Sequence, residues 1–132
     1  MINGNQGSGM SSINWIKLES EKDLYELKSL SKSKICMIFK YSTRCGSSAV
    51  ALDRLERSWD RTEMSEVQPF FLDLITYRNL SNLVAQEFDV LHESPQIILI
   101  ENSSSVFDTS HFSINYNNIL SSVLNLNAKN EN

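Results

Sequence analysis

A three-layer α/β sandwich, with a mixed central sheet between helices, is the fold class this sequence predicts, and three observations predict it. Residues 35–39, ICMIF, are continuously apolar, as in a strand buried on both faces. Strand-like and helix-like runs alternate through most of the chain, the order that places early helices between parallel strands. Two later strand candidates, SPQIILIE and VFDTSHF, are separated only by the polar turn ENSSS and read as a hairpin.

Each element has its own justification. NWIKLE is a short extended segment. SEKDLYELKSLSKS reads as a helix with Ser20 as N-cap, Asp23 three residues on, and Leu24, Leu27 and Leu30 facing inward. From Ser48 the apolar positions Ala51, Leu52, Leu55 and Trp59 form a helical stripe, with Asp53, Arg54, Glu56 and Arg57 on the wet side. VQPFFLDLI is a strand, with Pro69 near its start because proline cannot donate a ladder hydrogen bond. Leu80, Leu83, Val84 and Phe88 mark a third helix, entered through Thr76 or Asn79 as a cap. Ile119, Leu120, Val123 and Leu124 carry a final helix, and the chain is expected to fray over residues 128–132.

The 132 residues are 41% apolar, enough for one domain with its own core, expected over residues 13–127. A net charge of −4 provides no general attraction for nucleic acid or an anionic membrane face. Two cysteines, Cys36 and Cys45, make no disulfide framework and fit a reducing, cytoplasmic setting. Residues 1–12, MINGNQGSGMSS, lack the pattern of a signal peptide and are expected to be a disordered tail or an expression scar. No apolar run approaches the roughly 20 residues of a membrane span.

The chemistry concentrates at YSTRCGSSA, where the buried strand hands over to the second helix, the place in such sheets where reactive groups collect. A thiol at a helix N-terminus meets unpaired backbone N–H groups and the positive end of the dipole, which favour thiolate. The N–H groups of Gly46 and Ser47 and the hydroxyl of Ser48 are expected to hold the Cys45 thiolate, and Arg44 and Lys40 add positive charge if they turn toward it. Ser48 stands where a second cysteine would complete a CxxC pair, and it cannot attack a mixed disulfide. Such a one-cysteine site must wait for an outside thiol to clear an adduct. Cys36, inside the apolar run, reads as a core thiol. The bland alternative for Cys45 is a small residue at a helix start.

Pro95 directly precedes a buried strand, where its missing N–H points to irregular backbone. A cis Ser94–Pro95 bond would turn the Ser94 backbone outward, free to pair with an extended partner, whereas a trans proline starting the strand is the commoner arrangement.

YSTRCGSS after a buried strand and SPQ before a hairpin strand resemble the thioredoxin fold, whose proline at this place is cis and faces the cysteine. More narrowly, FKYSTRC, FFLDLITYRNLSNLVAQEFDVLHESPQIILI and the closing hairpin resemble the YtxJ-type monothiol bacilliredoxins, from Ile13 to Leu126. That resemblance implies a thiol–disulfide oxidoreductase that removes bacillithiol from protein mixed disulfides. Cys45 would be its attacking cysteine, Ser48 the serine that follows, and Ser94 and Pro95 the partner-docking residues. No tightly bound cofactor or metal is expected. The resemblance implies a bacillithiol-like small thiol as co-substrate and S-thiolated proteins as partners, and a monomer is expected. The family pattern is Cys-Pro-Ile-Ser, whereas this chain has Gly46 and Ser47 in the middle, which loosens the helix start and returns one N–H to the neighbourhood of the sulfur.

Two other functions are expected to compete. Cys-Gly-Ser-Ser is similar to the Cys-Gly-Phe-Ser of iron–sulfur-carrying monothiol glutaredoxins, but SSSVFDTSHFSI lacks their glycines after the hairpin. A non-catalytic binding module would keep the fold and leave the thiol idle. A phosphatase loop fails because Ala51 stands where its arginine belongs, and GNQGSG lacks the lysine and strand of a nucleotide loop. His92 and His111 have no partner at metal-ligand spacing and read as solvated, with His92 near enough to Pro95 to line a substrate groove.

Overall fold

The computed structural model describes residues 13–130, so the expected tail at 1–12 lies outside the described residues, as do 131–132. Among the described residues the order is β1 Ile16–Lys17, α1 Glu21–Leu30, β2 Ile35–Tyr41, α2 Gly46–Ser58, β3 Val67–Asp73, α3 Arg78–Phe88, β4 Gln96–Glu101, β5 Ser104–Ser110, a 3-10 turn His111–Ser113, and α4 Tyr116–Asn130. The strands form one mixed sheet in the order β1-β3-β2-β4-β5. β3 pairs in parallel with β1 and β2, and β4 runs antiparallel to β2 and β5.

Alternation along β2 divides the core into two layers. Ile35, Met37 and Phe39 pack with Ala51 and Leu55 of α2 and Ile119 and Val123 of α4. Cys36 and Ile38 pack on the other face with Leu24 and Leu27 of α1 and Val84 and Phe88 of α3. Each fully buried side chain of this size contributes about 1.5–3 kcal/mol. β2 therefore lies between both layers, which makes its C-terminal end a rigid base for the loop that follows.

Local signals account for most boundaries. The Ser20 hydroxyl accepts from the N–H of Asp23 at 3.1 Å and the Asp23 carboxylate accepts from the N–H of Glu19 at 2.9 Å, a reciprocal cap that starts α1. Pro69 sits within β3, one residue before β1 begins to pair at Phe70, where a missing N–H is tolerated. The hairpin turn has positive φ at Asn102 and Ser103, 51° and 63°, the geometry of a two-residue type I′ turn. Ser31 anchors it, its carbonyl accepting from the N–H of Asn102 at 2.8 Å and its hydroxyl from that of Ser103 at 2.9 Å.

Some sequence expectations are corrected. Neither Thr76 nor Asn79 caps α3, whose N-cap is Tyr77 with no side-chain cap bond. The Asp73 carboxylate instead accepts from the N–H groups of Ile75 and Thr76 and from the Thr76 hydroxyl, organising the turn before the helix begins. α2 starts at Gly46, two residues before Ser48. Leu124 is exposed, because only Ile119 and Val123 of its helix face are fully buried. α4 spans Tyr116–Asn130. No helix among the described residues is long and apolar enough to cross a membrane.

Candidate active site

Beyond Tyr41 the chain turns once and enters α2, with Cys45 as the N-cap in extended conformation, φ −120° and ψ 111°. Ser42 shapes this turn. Its carbonyl accepts from the N–H of Cys45 at 3.2 Å, and its hydroxyl accepts from the N–H of Arg44 at 3.2 Å. Beneath the turn, the rings of Trp15, Phe39, Tyr41 and Phe71 pack against one another with centroids 5.2–6.1 Å apart. Strand β2 thus delivers the loop on an aromatic base.

The Cys45 sulfur is partly exposed and lies 2.8 Å from the Ser47 hydroxyl oxygen. That hydroxyl is the main cause of a thiol pKa below its ordinary value, with further lowering from the N–H groups of Ser47 and Ser48 and from the Ser48 hydroxyl. Desolvation opposes the shift in part. A sulfur that is accessible and surrounded by donors is the arrangement of a nucleophilic thiolate.

The residues singled out in the sequence fall into two groups. Ser47 contributes more than expected, through its side chain as well as its backbone. Ser48 is fully buried, and its oxygen accepts from the N–H of Ser42 at 3.2 Å, so it ties the loop to the helix while acting on the thiol as a secondary donor. Gly46 occupies the first helical position. Arg44 is exposed.

Lys40 does not turn toward the sulfur. Following Cys36 and Ile38 by strand alternation, it points to the α1/α3 face, where it is fully buried and donates to the Ser81 carbonyl at 3.2 Å and to His92 Nδ1 at 3.2 Å. Burial pulls its pKa down to about 8. Cys36 is a core thiol whose S–H donates to the Leu27 carbonyl at 3.6 Å, and burial pushes its pKa up to about 12.

The Ser94–Pro95 peptide is cis, and the Pro95 carbonyl accepts from the N–H of His111 at 3.1 Å. His111 belongs to the 3-10 turn that packs against α2, so Pro95 and Cys45 share one end of the sheet. Leu91 and Phe112, 87% and 83% exposed, stand on the two segments that flank Pro95. Neither was singled out in the sequence, because an isolated apolar residue in a polar stretch carries no periodic signal. A surface depression lined by residues that include Lys32, Lys34, Glu66 and Glu101 lies at the opposite end of the sheet.

Two substitutions test this geometry. Ser47→Ala removes a hydrogen bond to a charged group, and the rate of Cys45 alkylation at pH 7 should fall about three- to tenfold, with the inflection of its pH profile moving upward. An unchanged profile would show that the 2.8 Å contact does not hold the thiolate. Gly46→Pro places proline at the helical position that favours it, and a Cβ added there meets nothing within 4 Å. Thermal unfolding should show a gain of about 0.4–1 kcal/mol. A loss would mean the helix start is not relaxed.

The monothiol bacilliredoxin BrxC family model matches residues 16–119. Among solved structures, one assigned as an oxidoreductase with a thioredoxin fold is 27% identical, with a TM-score of 0.69 over 82% of this chain and 92% of that one. Thioredoxins from Malassezia sympodialis and Fasciola hepatica share the fold at 11% and 17% identity. Their TM-scores are 0.69 and 0.63, over 88% and 83% of this chain and 93% and 96% of theirs.

Proposed function

The chain belongs to the monothiol bacilliredoxin family of thioredoxin-fold thiol oxidoreductases, and from that premise we propose that it removes a bacillithiol-like small thiol from mixed disulfides on proteins. The observation that carries this reading is a single accessible thiol among the described residues, Cys45, at a helix N-terminus with the Ser47 hydroxyl 2.8 Å away. The other cysteine of the chain, Cys36, is fully buried in the α1/α3 layer.

In the first step the Cys45 thiolate attacks the small thiol's sulfur in the protein mixed disulfide. One S–S bond forms as the other breaks, the protein leaves as its thiolate and is reduced, and Cys45 holds the small thiol as a disulfide. In the second step a free small thiolate attacks the adduct, releasing the small-molecule disulfide and the Cys45 thiolate. Donors around the sulfur favour the anion at both the start and the end of the cycle. The Ser94 backbone and Pro95 dock the partner beside the thiol, and the exposed Leu91 and Phe112 add apolar contact. The chain works as a monomer, with no tightly bound cofactor, in a reducing compartment such as the cytoplasm.

The test is incubation with a bacillithiolated protein, followed by mass spectrometry of the intact chain. Release of the reduced protein together with one bacillithiol mass on Cys45 is expected. Release with no adduct, or no release, would refute the reading.

A further inference from the structure

We infer that Lys40, which has no contact with the thiol, is a positioning residue for partner docking: through His92 it holds residues 91–95 in the shape that presents Ser94 and Pro95. This deepens the function proposed above and rests on it for the identity of the partner.

The argument begins with an anomaly. A lysine occupies the interior of the molecule with none of its side chain exposed, and among the described residues no carboxylate lies within ion-pair distance of it. Burying an ammonium among neutral groups is costly unless its protons are well used. Two are assigned to Ser81 of α3 and to the imidazole of His92, in the irregular segment before β4. His92 Nδ1 faces the ammonium and so acts as acceptor, leaving its proton on Nε2. Desolvation, with Lys40 and Arg78 nearby, lowers the pKa of that ring against the opposing pull of Glu93.

Lys40 does not act alone. In the β2–β4 register its direct partner is Gln96, only 1% exposed. Gln96 turns back on the same segment, accepting from the N–H of Glu93 at 3.3 Å and donating to the Leu91 carbonyl at 2.9 Å. On the other side Gln96 pairs with Ser110 of β5, and the next residue, His111, completes the set. Its N–H reaches Pro95 and its Nε2 lies 2.8 Å from the Glu93 carboxylate. Two adjacent strands and the turn after a third thus send one polar side chain each, Lys40, Gln96 and His111, to a loop with no regular structure of its own. Lys40 alone also ties the loop to α3.

A loop held this way is pre-organised, so a partner that pairs with it meets less ordering cost on binding. The function of the buried charge is then to keep a docking edge in shape at a distance from the chemistry. Strand alternation makes this possible, since Phe39 supports the thiol side while Lys40, the next residue, reaches the opposite face.

Two variants test the inference. Lys40→Met keeps length and removes the donor, and His92→Ala removes the acceptor at an exposed position and leaves the core intact. Each should raise KM for a bacillithiolated protein about five- to tenfold while leaving the pH profile of Cys45 alkylation in place. His92→Gln, which restores an acceptor, should recover most of the loss. Amide hydrogen exchange at Leu91 and Glu93 should quicken in His92→Ala, a readout that stands even if the parent chain proves inactive on bacillithiolated protein. Unchanged exchange in His92→Ala, or a KM unmoved in both variants, overturns the inference. So does an alkylation profile that shifts along with KM, because Lys40 would then act on the thiol.

Discussion

Replacing Cys45 with serine should lower the rate of bacillithiol removal by at least about a thousandfold, because an alkoxide is inaccessible at neutral pH and no other sulfur is placed to substitute. Cys36 is fully buried with its thiol pKa pushed up to about 12, so it carries almost no thiolate near pH 7. The Ser47 hydroxyl, which faces the sulfur at 2.8 Å, is a far weaker nucleophile than a thiolate. Release of the reduced protein, followed with both forms of the chain at equal concentration, checks this. A serine variant that retains even a tenth of the activity would move the chemistry away from Cys45 and would leave the helix N-terminus without a role in it.

The second large effect concerns stability. Phe39 is fully buried beneath the active-site turn, stacked on Trp15 at 5.8 Å between ring centroids and meeting Tyr41 and Phe71 edge-on at 6.1 and 5.9 Å. Phe39→Ala should cost about 3–5 kcal/mol. That is a large share of the roughly 5–15 kcal/mol that holds a domain of this size together. Urea unfolding should show the midpoint falling with little change in slope, since the surface exposed on unfolding is nearly the same. A cost below about 1 kcal/mol would mean that the surrounding rings close over the gap. It would also mean that the loop carrying Cys45 does not depend on this base.

The layers were legible in the sequence because apolar periodicity reports burial directly. The unbroken run at 35–39 became the strand shared by both cores, and the stripe through Ala51 and Leu55 became the face of α2. Cys45 at the strand-to-helix junction was legible for the same reason. Less visible were features set by side chains reaching across the fold. Asp73 organises the turn before α3, yet nothing local distinguishes it from any acidic residue at a strand end. Lys40 was read as a charge available to the sulfur, whereas alternation along β2 sends it to the opposite layer. Counting from Cys36 and Ile38 would have placed it there. Its dependence on His92, 52 residues away, required the sheet register. The grip of Gln96 and His111 on residues 91–95 is equally non-local, because it arises only when β4 lies between β2 and β5.

Ser48 carries a kinetic consequence. Its side chain is sealed beneath the loop with its oxygen bound to the N–H of Ser42, so the position one turn beyond the thiol is filled by a residue that fastens structure. In the proposed cycle the chain therefore has no unimolecular route out of its oxidised form. The lifetime of the Cys45 adduct is inversely proportional to the concentration of free small thiol, and turnover slows as that pool is depleted. Under oxidative load the adduct would accumulate, and the fraction of Cys45 carrying it would follow the state of the pool.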